Sequence, residues 1–250
     1  MGFSTEFFFA SRQDAAETAN EKMRCFTEAL EKGQLGRARV IGFEVLGICE
    51  KFGLELGKKQ LQIQMEGLKQ TVFLDRDGTL NVDDYVTFRP EQFKLIEGVP
   101  EGLATLKTWG FDFVIVTNQS GIGRGDYTVD DMKKFNQTLI CALQPIGLTQ
   151  DDFYFCPHDP KKENCECCKP SPGLFHQAAK HRNFDLSQAY MLGDKMSDIL
   201  AGKRAGCKRT ILLKTGITDD THKYDVIPDF VANNLVEAAQ IIAEVENIEK

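Results

Sequence analysis

The sequence lacks the long apolar runs of a membrane protein and the basic excess of a nucleic-acid binder. It has no apolar run near the roughly 20 residues that a membrane span requires, and residues 7–10, its apolar stretch near the start, are too short for a signal-peptide core. It also lacks an excess of basic residues, because 30 lysines and arginines stand against 37 aspartates and glutamates, for a net charge of −7. A general nucleic-acid binder needs the opposite balance. We therefore expect a cytoplasmic protein without a membrane or nucleic-acid partner.

Two patterns divide the chain near residue 70. From residue 71 to 250, short apolar runs rich in β-formers alternate with segments of helical period. The runs lie at residues 72–74, 113–116, 153–155, 190–192, 210–213 and 230–231, and the helical segments at 101–109, 129–143, 172–181, 198–205 and 235–246. Continuous apolar strands that alternate with helices predict an α/β fold, a doubly wound, Rossmann-like parallel sheet covered on both faces.

Residues 1–70 form a predicted N-terminal helical extension. Helical periodicity indicates helices at residues 15–32 and 35–52, and a third at 54–69, where Leu61, Ile63 and Met65 also alternate as in a strand. No chemistry-bearing motif falls in this part of the chain. We expect it either to pack or dimerise, giving a homodimer, or to bind a protein partner.

Two aspartates mark the end of the first predicted strand. Asp75 and Asp77 follow the apolar run at once and lead into a glycine turn. In parallel sheets the chemistry lies beyond the carboxyl ends of the strands. One carboxylate can act there as a nucleophile and the other as a general acid and base, since different environments tune such pairs apart. Taken alone, the same residues also fit a solvated Asp-Gly turn.

Polar residues follow the second and fourth strands as well. A hydroxyl, amides, glycines and an arginine suit a loop that cradles an oxyanion with side chains and backbone N–H groups. Its candidate binding side chains are Thr117, Asn118, Gln119, Ser120 and Arg124. Lys169 supplies a positive charge, and Asp194, Lys195 and Asp198 follow the fourth strand. Four carboxylates at one sheet edge would repel one another unless a cation joined them, and hard oxygen ligands indicate Mg²⁺.

Half of the cysteines are clustered. Cys156, Cys165, Cys167 and Cys168 fall within thirteen residues, together with His158. In a reducing compartment such a cluster indicates a metal site before it indicates disulfides. The alternative is a polar loop with scattered thiols.

Four motifs in this order resemble those of the haloacid dehalogenase (HAD) superfamily of phosphatases. They are residues 75–79, Thr117, Lys169 and residues 193–198, and the resemblance covers about residues 71–245. It implies a phosphomonoester hydrolase that acts through an aspartyl-phosphate on Asp75, with Asp77 as acid and base and with Thr117 and Lys169 stabilising the phosphoryl oxygens. It also implies Mg²⁺ held by Asp75, the carbonyl of Asp77, and Asp194, with Asp198 orienting Lys169 or the metal shell.

Within that superfamily the chain is most similar to the D-glycero-D-manno-heptose 1,7-bisphosphate phosphatases. This closer resemblance implies a structural Zn²⁺ held by Cys156, His158, Cys165 and Cys167 in a zinc loop at residues 156–168, because three thiolates and one imidazole complete a tetrahedron. The family usually has an arginine immediately before the motif lysine, where this chain has Cys168. Cys168 can also exchange with Cys167 as the fourth ligand.

The resemblance implies a small phosphorylated sugar as substrate. The expected reaction removes the C7 phosphate of the heptose bisphosphate in lipopolysaccharide precursor synthesis. The expected substrate contacts are Asn118, Gln119, Ser120, Arg124 and Lys195. Only 42 positions separate Asp75 from Thr117, too few for an inserted cap domain.

Three other functions remain open. Histidinol-phosphate phosphatases have a related zinc loop. Polynucleotide 3′-phosphatases have similar motifs but need a basic groove, which the charge of −7 disfavours. A non-enzymatic binding protein would act through residues 1–70, and the intact set of motif residues disfavours it.

Overall fold

The computed structural model describes residues 11–55, 58–66, 68, 70–84, 87–216 and 224–248. The chain forms two compact units. The first comprises the described residues of Met1–Lys69, Thr108–Gly110 and Ala243–Lys250, and the second those of Gln70–Lys107 and Phe111–Ile242. The first ten residues of the predicted extension lie outside the described part. None of the described helices has the length and apolar character needed to cross a membrane.

The first unit is built on three helices: α1 (Arg12–Glu31), α2 (Leu35–Phe52) and α3 (Lys58–Glu66). Ser11 caps α1 by accepting a hydrogen bond from the backbone N–H of Asp14, and Gly53 ends α2 in the left-handed conformation at φ 62°. The apolar faces that the periodicity predicted meet in a shared core, with Phe26 fully buried. The third helix is shorter than predicted, and residues 56, 57, 67 and 69 lie outside the described part.

The second unit contains a parallel sheet of six strands, which confirms the predicted α/β fold. The strands are β1 (Gln70–Leu74), β2 (Phe111–Asn118), β3 (Phe153–Cys156), β4 (Tyr190–Gly193), β5 (Arg209–Leu213) and β6 (Phe230–Ala232). Their spatial order is β3-β2-β1-β4-β5-β6, and each pair is parallel. The direction of winding reverses at β1, where such sheets place their binding crevice.

In the part of the chain that the structure describes, six α-helices accompany the sheet: α4 (Val99–Thr108), α5 (Ser120–Arg124), α6 (Val129–Ala142), α7 (Gly173–Arg182), α8 (Met196–Ala205) and α9 (Leu235–Glu246). Between β1 and β2, the described residues form a 3₁₀ turn at Pro90–Gln92 and α4 but no separate cap domain, as expected. The sequence predicted a loop where α5 lies. The glycines there serve packing, because a Cβ on Gly121 would collide with the Tyr127 ring and one on Gly123 with the backbone of residues 157–159.

The strand register brings the polar strand ends together. All five positions of β1 are buried, and Leu74 pairs with Ile115 of β2 and with Leu192 of β4. The backbone N–H of Asp75 then donates to the carbonyl of Leu192 at 3.0 Å. The residues that follow β1, β2 and β4 therefore emerge side by side at one edge of the sheet.

Candidate active site

Lys169 lies at the centre of this edge. Its Nζ is 2.7 Å from Oδ1 of Asp75 and 2.6 Å from Oδ1 of Asp198, and it also donates to the carbonyl of Val116 at 2.7 Å. All three charged side chains are buried. Burial alone would lower the pKa of Lys169, but the charges of Asp198 and Asp75 outweigh it and hold that pKa above its usual range. Lys169 is thus a fixed positive charge beside Asp75.

Asp194 is the third carboxylate of a tight group with Asp75 and Asp198. One oxygen from each lies within 4.8 Å of the others. Oδ2 of Asp194 is buried and has no hydrogen-bond partner among the described residues, and Nζ of Lys195 is 3.9 Å away, too far for a hydrogen bond. Burial, with the charges of Asp75 and Asp198, raises the pKa of Asp194 to about 8. A buried oxygen without a partner among like charges fits a hard divalent cation such as Mg²⁺.

Asp77 is held by donors on several sides. Arg76 donates from Nε to Oδ1 at 3.1 Å and from NH2 to Oδ2 at 2.7 Å. Asn81 donates to Oδ1 at 3.0 Å, and Gln119 donates to Oδ2 at 2.9 Å. Burial raises the pKa of Asp77, but the charge and hydrogen bonds of Arg76, with those of Asn81 and Gln119, outweigh it and leave the pKa below its usual value. In this arrangement Asp77 is a carboxylate.

A cavity of about 250 Å³ opens beside these groups. Its lining includes Asp75, Asp77 and all seven of the other sequence-predicted catalytic and substrate-binding residues: Thr117, Asn118, Gln119, Ser120, Arg124, Lys169 and Lys195. At its rim Arg124 donates to Ser120 Oγ and to Asp126 Oδ2, both at 2.8 Å. Lys195 lies 3.0 Å from Asp83. The structure therefore brings the sequence-predicted residues of this site together.

Two of the predicted substrate contacts have their polar atoms engaged within the protein. Asn118 donates to the carbonyl of Lys169 at 3.0 Å and accepts from its backbone N–H at 2.9 Å. Gln119 donates to Asp77 and to Thr117, and its oxygen accepts from Arg76 and from the Tyr127 hydroxyl. In this structure both amides position other residues of the site.

Arg76, Asn81 and Tyr127 also belong to this network, although they are not among the sequence-predicted site residues. Arg76 is 1% exposed and also bonds Asn136, while Tyr127 lines the cavity and stacks on Phe88 at 4.8 Å. The position of Arg76 between two site aspartates was the signal in the sequence that could have identified it.

The cysteine cluster forms a compact group at the end of β3. Cys167 Sγ is 3.1 Å from both His158 Nδ1 and Cys156 Sγ, and Cys156 Sγ is 3.5 Å from Cys165 Sγ. One ligand atom from each of these four residues lies within 4.8 Å of the others. Such spacings fit one tetrahedral Zn²⁺ with bonds of about 2.0–2.3 Å. The thiol of Cys168 is not one of these four, but it interacts with the thiol of Cys156 and lies 3.6 Å from the carbonyl of Lys169.

Comparison with known proteins identifies the family. A D-glycero-beta-D-manno-heptose-1,7-bisphosphate 7-phosphatase of Pasteurella multocida is 42% identical over 163 residues, which are 62% of this chain and 89% of that protein. This chain belongs to the heptose-bisphosphate phosphatase family. The family member of Helicobacter pylori strain 26695 is 41% identical over 162 residues, which are 64% of this chain and 93% of that protein. Residues 166–238 match the profile of HAD-hydrolase-like proteins.

A solved structure of another family member agrees with this assignment. The D,D-heptose 1,7-bisphosphate phosphatase of B. bronchiseptica, complexed with magnesium and phosphate, is 28% identical with a TM-score of 0.64, covering 70% of this chain and 99% of that one. The chain is therefore a phosphatase with the HAD fold. About a third of it lies outside these matches.

Proposed function

We propose that this phosphatase removes the C7 phosphate of D-glycero-D-manno-heptose 1,7-bisphosphate during lipopolysaccharide precursor synthesis. The observation that supports the reaction class most directly is the ion pair of the buried Lys169 with Asp75, next to the oxygen of Asp194 that has no partner among the described residues. The named relatives support the heptose substrate.

Asp75 is the proposed nucleophile. Mg²⁺ held by Asp75, Asp194 and the carbonyl of Asp77 would neutralise phosphoryl oxygens and so favour attack by an anion. Asp75 attacks the phosphorus in line, the bond from phosphorus to the sugar oxygen breaks, and an aspartyl-phosphate forms. Lys169 and the hydroxyl of Thr117 bind the equatorial oxygens, where negative charge accumulates. Asp198 keeps Lys169 in place through the ion pair at 2.6 Å.

Asp77 is the proposed general acid in the first half of the reaction and the general base in the second. It gives a proton to the leaving sugar oxygen, and afterwards it takes one from the water whose oxygen attacks the aspartyl-phosphate, which releases phosphate and restores Asp75. Arg76 holds Asp77 as a carboxylate in the free protein, the form that the second half needs. A bound phosphate dianion raises the pKa of a nearby carboxyl group. We therefore infer that substrate binding helps Asp77 to acquire the proton that it donates first.

The rest of the substrate has room on two sides of Lys169. A second cavity of about 450 Å³ shares Asn118, Lys169, Lys195 and Ser197 with the first and extends between the zinc loop and Tyr224. The cationic side chains at the rim of the first cavity, Arg124 and Lys195, suit the phosphate that stays on the sugar.

Zn²⁺ bound by Cys156, His158, Cys165 and Cys167 is proposed to be structural, because four protein ligands leave no open position. The loop it would order leads directly into Lys169, whose backbone Asn118 holds on both sides. Zinc binding would then fix the position of the catalytic lysine.

A substrate panel tests the proposed reaction. Purified protein with Mg²⁺ is given the heptose 1,7-bisphosphate, the corresponding 1-phosphate and histidinol phosphate, and phosphorus NMR follows the products. We expect loss of the C7 resonance with the C1 phosphate retained. Asp75→Asn, which keeps the shape of the side chain but removes the nucleophile, is the control and should be inactive. Release from C1, preference for histidinol phosphate, or activity of Asp75→Asn within about tenfold of the parent would contradict the proposal.

A further inference from the structure

The segment after β5 reaches the loop that follows β1. Lys214 continues the edge of β5, with its backbone N–H donating to the carbonyl of Ala232 at 2.9 Å. Thr215 then donates from its hydroxyl to the carbonyl of Gly78 at 2.6 Å. Gly78 has φ 87°, in the left-handed region that glycine favours. One short hydrogen bond thus joins two parts of the chain that are 137 residues apart.

Asp194 lies against glycines on two sides. A Cβ placed on Gly78 would stand 2.6 Å from Cγ of Asp194, and one placed on Gly216 would stand 2.8 Å from the same atom and closer still to Oδ2. Carbon atoms do not approach one another this closely without a clash. The two backbones therefore leave a space that holds the carboxylate of Asp194 and nothing larger. Thr79 adds a long contact from its hydroxyl to Oδ1 at 3.4 Å.

We propose that Thr215 and Gly216 are positioning residues for the divalent cation: Gly216 is one wall of the Asp194 slot, and Thr215 fixes Gly78, the other wall. The inference rests on the proposed Mg²⁺ role of Asp194. Metal–ligand distances tolerate only about ±0.2 Å, so a wall that displaces the carboxylate by more than that weakens metal binding. Residues that orient a ligand typically contribute about 10–100-fold to metal affinity.

Gly216 offers a clean probe of this slot. Its φ lies outside the left-handed region, so alanine is compatible with its backbone and any effect of Gly216→Ala comes from the added Cβ. Gly78 would not serve, because alanine there is strained by the backbone alone. Gly47, in α2, has nothing within 4 Å of an added Cβ, and Gly47→Ala is the matched control.

The experiment measures Mg²⁺ binding by calorimetry on the full chain, without substrate. Gly216→Ala should raise the Kd for Mg²⁺ by about tenfold or more, whereas Gly47→Ala should not change it. Thr215→Val removes the hydroxyl at nearly constant shape and should raise the Kd severalfold, and Thr215→Ser should restore it. Bound zinc should stay at the parental value in all four variants.

Parental Mg²⁺ affinity in both Gly216→Ala and Thr215→Val would overturn the proposal, and so would affinity loss in Thr215→Ser equal to that in Thr215→Val. A failure of the proposed function would give another result. The parent would bind Mg²⁺ and the variants would bind it more weakly, but the parent would not hydrolyse sugar phosphates.

Discussion

Replacing Lys169 by methionine tests how the charges of the site are balanced. The lysine is buried and sits 2.7 Å from Asp75 and 2.6 Å from Asp198. Methionine keeps most of the volume but removes the charge, so both carboxylates lose the ammonium group that they share. Breaking a buried ion pair by removal of one partner costs about 3–5 kcal/mol, a large share of the roughly 5–15 kcal/mol by which domains are stable. We expect the free energy of unfolding of Lys169→Met to fall by about that amount.

Urea unfolding in EDTA at neutral pH measures this loss. Lys203→Met is the matched control, because Lys203 pairs with Asp229 at 3.1 Å but both side chains are about one-third exposed (35% and 29%). Such a pair contributes about 0–1 kcal/mol. Adding Asp198→Asn to Lys169→Met removes one of the two carboxylates that have lost the lysine. The free energy of unfolding should then rise again by about 1–3 kcal/mol.

Two results would refute the claim that Lys169 stabilises the protein by neutralising Asp75 and Asp198. One is a loss in Lys169→Met no larger than in Lys203→Met. The other is full additivity of Lys169→Met and Asp198→Asn, since residues in one ion-pair network must couple. Neither result depends on turnover, so the test separates the electrostatics of the site from the choice of substrate.

The strand ends of the fold could be predicted because two physical signals agree there. Continuous apolar runs locate buried parallel strands, and polar residues can follow such runs only where the strands leave the core. Asp75, Thr117 and Asp194 each stand at such a point, so their convergence followed from the sheet alone. The longer helices around the sheet were predicted to within a few residues from their helical periodicity, as for 129–143 against α6 at Val129–Ala142, whereas α5 was predicted as a loop.

The partners of each side chain could not be predicted, because they depend on segments far apart in the chain. Asn118 has the residue type of a ligand-binding amide, yet it holds the backbone of Lys169, 51 residues away. Arg76 was not selected as a site residue, yet it donates two hydrogen bonds to Asp77. The glycines at 121 and 123 were predicted to belong to a loop that cradles an oxyanion, but they allow the ring of Tyr127 and the backbone of residues 157–159 to approach α5. The residue types indicate the chemistry of a site, but only the packing shows which group each side chain contacts.

Three further predictions concern the two metal sites and the hydrogen bonds that hold the backbone of Lys169. Burial and neighbouring carboxylates raise the pKa of Asp194 to about 8, against about 3.9 in an unfolded chain. Between these two values the folded state binds more protons than the unfolded state, so the free energy of unfolding in EDTA should fall as the pH rises from about 5 to 8. A rise of that free energy over the same pH range, absent in Asp194→Asn, would contradict the prediction. Asn118→Leu removes both hydrogen bonds to the backbone of the motif lysine, so kcat should fall by about tenfold or more with zinc content unchanged; unaltered kcat would show that the loop needs no such support. Cys165→Ser should lose zinc and activity together, because the loop is too polar to fold without the metal. Cys168→Ser should keep its zinc, since Cys167 is the thiol that lies 3.1 Å from two other ligand atoms. Elemental analysis measures the zinc in both variants. Zinc lost from Cys168→Ser as well as from Cys165→Ser would mean that Cys168, and not Cys167, is the fourth ligand, and full zinc in Cys165→Ser would refute the site.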